Sequence, residues 1–305
     1  MRMRKTLAII PARLKSQRFP KKPLVKICGR EMILRTVDQV RQCPSINEVW
    51  VASDSQEILD IVQENSNSKF VKGVFTDGRC KTGTDRIVNA LVKQGYSQTQ
   101  SKTSFPWKSI INVQGDEPFV SSAALEKCLS QFYNDDSADM ATIVTPMRQS
   151  NYSNEDFLTK IFDSNIVKCK FNMKTTGYAI NFSRKPFYQG AKNHYITKGI
   201  YEFQHIGVYV YRPSRLYEFA SLQSQNNPDS LENIENLEQL RAVEAGWNIR
   251  VVEVQGPHAN GVDTYQQYIA LQQEMIKCFI KAQENREAKL DLEKGNCLCP
   301  YHIKE

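Results

Sequence analysis

The sequence has no apolar run long enough to cross a bilayer, so a helical membrane protein is not expected. It has only four histidines, and none is paired at the spacing of a zinc site, which argues against a zinc hydrolase. Gly-x-x-x-x-Gly-Lys-Ser/Thr, Gly-x-Gly-x-x-Gly and Gly-x-Ser-x-Gly are all missing. The P-loop, dinucleotide and nucleophile-elbow readings go with them. The eight cysteines, at 28, 43, 80, 128, 169, 278, 297 and 299, lack the spacing of a disulfide framework. The first six read as free thiols. Cys297, Cys299 and His302 offer at most three metal ligands in a stretch that reads as a frayed terminus. The basic start, Met1 to Lys5, is followed by an apolar run that stops at Pro11. That is too short for a signal-peptide core, so a cytoplasmic location is expected. A net charge of +7 is too diffuse to imply nucleic-acid binding, and no nucleic-acid or membrane partner is expected.

What is present is an alternation of two periods. Thr6–Ile10, Glu48–Ala52, Phe70–Phe75, Ser109–Val113 and Ala138–Val144 read as buried strands. Between them, 31–42, 56–63, 82–94 and 123–132 carry apolar residues at helical spacing. This βαβα order predicts a mostly parallel sheet covered on both faces. The second half is less regular. Residues 151–158 read as loop, 166–171, 177–182 and 206–211 as strands, and 183–202 as a long excursion. A single helix is expected over 231–245, a strand over 249–254, and a long helix from 264 to 290. Residues 1–270 are taken as one domain, with a regular first half to about 145 and a less regular, substrate-side half from about 146. Residues 271–305 form a helical extension.

Two constellations carry chemistry. Directly after the first strand, Arg13, Lys15, Arg18, Lys21 and Lys22 crowd one loop held by Pro11, Pro20 and Pro23. At the C-terminal edge of an open sheet, where ligands bind, such a loop suits a triphosphate; the bland alternative is a solvated basic patch. Ile110 to Val113 then runs into Gln114-Gly115-Asp116, which puts a carboxylate on the same edge. A carboxylate facing phosphate-binding cations is a means of holding Mg²⁺. Weaker signals accompany these. Lys81 to Arg86 could hold a base, ribose or phosphate, or simply cap a helix. Asp263 reads as a second metal carboxylate or as an N-cap. His205 is a lone histidine, more often structural than catalytic. Glu235 and Gln239, one turn apart, could face a polyhydroxy substrate or water.

In order and spacing these segments resemble the 3-deoxy-manno-octulosonate cytidylyltransferases (CMP-Kdo synthetases). The likeness runs through Ile10 to Leu24, Thr82 to Arg86, Val113 to Pro118, Asn181 to Arg184, His205 to Tyr209, Leu231 to Arg241 and Gly261 to Thr264, over roughly residues 6–270. It implies an α/β Rossmann-like nucleotidyltransferase (GT-A-like) with a mostly parallel central sheet, a smaller inserted sugar-binding and dimerisation lobe, and a homodimer. It implies transfer of CMP from CTP to a 2-keto sugar acid. Arg13, Arg18, Lys22, Thr82, Gly83, Thr84, Arg86 and Gln114 would bind CTP. Asp116 and Asp263 would hold Mg²⁺ and, with Arg13 and Lys22, carry catalysis. Arg184, His205, Tyr209, Glu235 and Gln239 would face the sugar acid. The chain departs from the family pattern at Lys21, where glycine is usual, and after Arg184, where Lys185-Pro186-Phe187 stands for Ile-Pro-Trp. The competing readings are another sugar acid or a sugar phosphate as acceptor, and a catalytically idle nucleotide-binding relative.

Overall fold

The computed structural model describes residues 5–15, 19–66, 69–97, 105–148, 153–222, 227–255 and 261–284. The chain opens with β1 (Thr6–Ala12), a 3-10 turn (Lys22–Leu24), and a small hairpin of β2 (Lys26–Ile27) and β3 (Arg30–Glu31). It continues through α1 (Met32–Arg41), β4 (Ile46–Ser53), α2 (Gln56–Asn65), β5 (Val71–Phe75) and α3 (Gly83–Lys93). Next come β6 (Ser109–Val113), α4 (Ser122–Tyr133), β7 (Met140–Pro146), α5 (Asn154–Phe162), β8 (Lys168–Phe171) and β9 (Ala179–Ser183). The remainder is α6 (His194–Thr197), β10 (Phe203–Tyr211), α7 (Pro213–Ser221), α8 (Leu231–Glu235), α9 (Leu240–Glu244), β11 (Ile249–Glu253) and α10 (Tyr265–Glu284).

The sheet order is β11-β7-β10-β6-β1-β4-β5, with β8 and β9 added beside β10. β6, β1, β4 and β5 run parallel, as do β7 and β11. β10 runs antiparallel between β6 and β7. Side chains alternate across each strand, so successive residues enter different cores. Ala8 and Ile10 of β1 pack with α1, α2 and α4 on one face, while Leu7 and Ile9 pack with α3 and α7 on the other. A third cluster joins Leu271 and Met275 of α10 to Phe19, Ile27 and Met32. Tyr268 Oη also donates to Lys26 O at 2.9 Å, so α10 straps the segment around the cationic loop.

Three expectations are corrected. Residues 154–162 form α5, because Ser153 and Asp156 build a capping box ahead of the buried Phe157 and Ile161. The single helix expected over 231–245 is two, broken where Asn236 adopts a left-handed φ of +54°. Asparagine tolerates that conformation better than most residues. α7 was not foreseen at all; it begins at Pro213, a residue suited to a helix's first turn. The 98–104 part of the expected loop, and Arg18, Cys297 and Cys299, lie outside the described residues. Cys28, Cys43, Cys80, Cys128 and Cys169 are free thiols.

Candidate active site

An open cleft of about 1180 Å³ lies at the C-terminal ends of β1 and β6. One side carries Arg13, Lys15, Lys21 and Lys22; another carries Lys81, Thr82, Gly83 and Arg86; the floor is Gln114, Gly115 and Asp116. Glu232, Asn233, Asn236, Leu237 and Glu238 form the far edge, and Asp263 completes the rim.

Local geometry explains why the two aspartates face this space. Ser121 Oγ accepts from Ala124 N and caps α4, which leaves Asp116 out of the capping role. At α10 the cap is Thr264, whose Oγ1 accepts from Gln267 N at 3.2 Å while Gln267 Oε1 accepts from Thr264 N at 2.9 Å. Asp263 is thereby excused from the N-cap role that local sequence favours. Val262 N donates to Asp116 O at 3.0 Å and pins the two segments together. Lys22 Nζ then donates to Asp116 Oδ2 at 2.6 Å and to Asp263 Oδ1 at 3.1 Å. Burial works against the charged Lys22 ammonium, but the two carboxylates outweigh it and its pKa rises above the usual lysine value. Among the described residues no group of three or more His, Cys, Asp or Glu could hold a metal. Two carboxylates sharing one cation are what the cleft offers.

Glu117 lies beneath them, its Oε1 accepting from Gly207 N at 3.4 Å. Burial, and then the neighbouring Asp116, push its pKa up to about 8. Glycine is needed at three places for close approach. A Cβ at Gly115 would stand 2.9 Å from Pro11 O, one at Gly207 3.1 Å from Gln114 Cγ, and one at Gly261 3.2 Å from Glu117 Oε1. Gly115 therefore serves close backbone contact with β1 within the turn that follows β6.

Thr82 is the N-cap of α3 in a capping box with Asp85, so its hydroxyl is already engaged by Asp85 N at 3.1 Å. Thr84 is buried and does not line the cleft. Arg86 does line it but is 3% exposed, donating to Thr76 Oγ1 at 2.7 Å and to Asp54 Oδ2 at 3.1 Å. Gln114 Nε2 donates to the buried Asn112 Oδ1 at 3.1 Å, which orients its amide.

Arg184, His205, Tyr209, Glu235 and Gln239 are not among the residues that line the cleft. Arg184 and Glu235 hold each other. Glu235 Oε2 accepts from Arg184 N at 3.0 Å, and Arg184 Nε donates to Glu235 O at 3.1 Å. The wholly buried Lys168 donates to Arg184 O at 2.9 Å from the other side. Glu235 and Gln239 do not share a helix face, since Asn236 breaks the helix between them. The residue that sequence reasoning missed is Glu238. It lines the cleft, its Oε1 is buried without a hydrogen-bond partner, and burial raises its pKa despite Thr82 and Arg241 nearby. The asparagine preceding it by two was the available signal.

His205 is buried against Phe182 and Tyr209. The Thr142 hydroxyl donates to Val208 O at 2.7 Å, so it must accept the 2.8 Å bond from His205 Nε2, which fixes the tautomer. Burial lowers the pKa of His205 to about 3. Between pH 6.5 and 3 the unfolded chain therefore binds a proton at this residue that the folded chain refuses. Stability from this group is intact above pH 6.5 and falls by about 1.4 kcal/mol per pH unit below it. Thermal melts from pH 7 to pH 4.5 are expected to fall less steeply in His205→Gln than in wild type.

The family model described as cytidylyltransferase matches residues 7–251. The 3-deoxy-manno-octulosonate cytidylyltransferase of Protochlamydia amoebophila (strain UWE25) is 34% identical over 258 residues, covering 85% of this chain and 89% of the relative. That of Syntrophotalea carbinolica is 36% identical over 264 residues, covering 84% and 93%. A solved CMP:2-keto-3-deoxy-manno-octonic acid synthetase complexed with CTP superposes with a TM-score of 0.72 at 30% identity, covering 90% of this chain and 99% of its own. A 4-diphosphocytidyl-2C-methyl-D-erythritol synthase from Anaerococcus prevotii, at 14% identity and a TM-score of 0.51, shares the fold alone. With a match running from the first strand to the last, and sequence and structural relatives agreeing, the chain belongs to the cytidylyltransferase family, among the 3-deoxy-manno-octulosonate cytidylyltransferases.

Proposed function

We propose that this nucleotidyltransferase moves CMP from CTP to the anomeric hydroxyl of 3-deoxy-manno-octulosonate, releasing pyrophosphate and giving the CMP-activated sugar acid. The observation that carries this is the meeting of Lys22, Asp116 and Asp263 within 3.1 Å at a cation-rich cleft. The names of the relatives, and the CTP with which the solved neighbour is complexed, support the choice of substrates.

Arg13 and Lys22, with Arg18 from the same loop, neutralise the triphosphate. Gly83, Gln114 and Arg86 flank the cytidine, with Thr82 and Thr84 shaping the start of α3. Asp116 and Asp263 fit Mg²⁺, which is held by one or two carboxylates plus substrate phosphates, and these two already share one cation. When bound, Mg²⁺ lowers the pKa of the sugar hydroxyl and offsets charge on the phosphates. Lys22, released from the aspartates, turns its ammonium to the departing pyrophosphate. Glu238, which lines the far edge, is placed to meet a sugar hydroxyl there. Arg184, His205, Tyr209, Glu235 and Gln239 stand behind that edge as its supporting wall. The reading extends to a cytoplasmic homodimer, for which Tyr201, Ile180 and Ile234 supply exposed apolar surface on the sugar side.

The test is pyrophosphate release with Mg²⁺, pairing CTP, UTP, ATP and GTP with 3-deoxy-manno-octulosonate, its 8-amino analogue, other 2-keto sugar acids and a sugar phosphate. Release with CTP and 3-deoxy-manno-octulosonate alone is expected. Release with the sugar phosphate and none with any sugar acid would overturn the proposal.

A further inference from the structure

Lys21 sits in a backbone conformation that lysine disfavours. Its φ is +54° and its ψ 25°, the left-handed region that glycine enters without steric cost. Among the described residues only Lys21, Cys28 and Asn236 combine a side chain with a positive φ, and two of the three, Lys21 and Asn236, line the cleft. Strained backbone of this kind gathers where function over-determines it. Glycine would suit the backbone at position 21 best, so what lysine adds there is its charge.

That charge is parked. Lys21 Nζ donates to both oxygens of Glu57, at 3.0 and 3.1 Å. Both side chains are well exposed, 63% and 46%, so water and salt screen the pair and little holds it. Glu57 stands in the first turn of α2, where the helix dipole steadies its carboxylate without the lysine. A four-carbon stem with three rotatable donors re-aims at small cost. Lys22, its neighbour, turns instead to Asp116 and Asp263, and both lysines line the cleft.

We infer that Lys21 is an additional ligand for the β- and γ-phosphates of the nucleotide, held by Glu57 until the nucleotide arrives. This rests on the reading of the cleft as a CTP site. A polyphosphate presents several negative charges where Glu57 presents one, and charge-assisted bonds to it draw the ammonium across.

The experiment is calorimetric titration of CTP and of CMP, which lacks the β- and γ-phosphates, into wild type, Lys21→Met, Lys21→Gly and Glu57→Gln. Thermal melts confirm that each variant is folded; Lys21→Gly relieves the left-handed strain, so its fold is secure. Both Lys21 variants are expected to bind CTP about tenfold more weakly and CMP unchanged. Glu57→Gln, which frees the lysine, is expected to bind CTP about two- to threefold more tightly. Unaltered CTP affinity in Lys21→Met, or equal losses for CTP and CMP, would overturn the inference. So would a loss confined to Lys21→Gly, which would assign the effect to the backbone. Wild type that binds no CTP at all would instead overturn the nucleotide reading, before any variant is compared.

Discussion

Replacing Asp116 by alanine is expected to lower kcat/KM by on the order of a thousandfold, about 4 kcal/mol of transition-state stabilisation, while leaving the fold intact. The loss has two parts. One of the two carboxylates that share Lys22 disappears, so a divalent cation would be held by Asp263 alone. The closer partner of Lys22, at 2.6 Å, also disappears, and the ammonium shifts toward Asp263 and competes for the one remaining carboxylate. The fold is spared because Asp116 lies in a turn past the end of β6 with its side chain 28% exposed, and Asp263 still pairs with Lys22. Initial rates of pyrophosphate release and a thermal melt on the same preparation separate the two effects. A variant that keeps a tenth of wild-type activity would remove Asp116 from the role proposed for it.

Arg241→Met is expected to be the most damaging single change to stability, at about 3–5 kcal/mol. Arg241 is 3% exposed and forks onto Glu232, with Nε to Oε2 at 2.9 Å and Nη2 to Oε1 at 2.6 Å. Nη1 also donates to Phe219 O at 3.3 Å, tying α9 to α7. Glu232 is itself 8% exposed, and Glu238 lies 3.9 Å from the same guanidinium. Methionine fills the volume but leaves two poorly solvated carboxylates without a cation. The midpoint of thermal unfolding should fall by about 10 °C. Adding Glu232→Met should recover much of the loss, since an apolar pair avoids the stranded charge. If the double variant melts no higher than Arg241→Met, packing rather than charge is the cause.

How far the sequence could be read depended on which physical rule governed each segment. From β1 to β7, strand and helix periods alternate, and the main elements fall within a few residues of expectation because β1, β6 and β7 are buried on both faces between helices. The 231–245 stretch misled. Leu231, Ile234, Leu237, Leu240 and Val243 recur at intervals of three, a spacing that walks around an α-helix instead of staying on one side. The structure breaks the run at Asn236, leaves Ile234 63% exposed and buries Leu240. That break moves Glu238 onto the cleft and separates Glu235 from Gln239. The cationic loop and Asp116 were legible as cleft residues because they follow β1 and β6, where position in the sheet dictates position at its edge, whereas Asp263, ten residues past β11, reads locally as an N-cap. Roles on the sugar side depend on side-chain packing among β8, β9, β10 and two short helices, which local pattern does not encode.

Bringing Lys22 to Asp116 joins residues 94 positions apart, and bringing it to Asp263 joins residues 241 apart. Contacts of such long range form late, after the loop-closure entropy of the intervening chain has been met. The cluster at the cleft is therefore assembled from both ends of the domain and exists only once β1, β6 and α10 have come together.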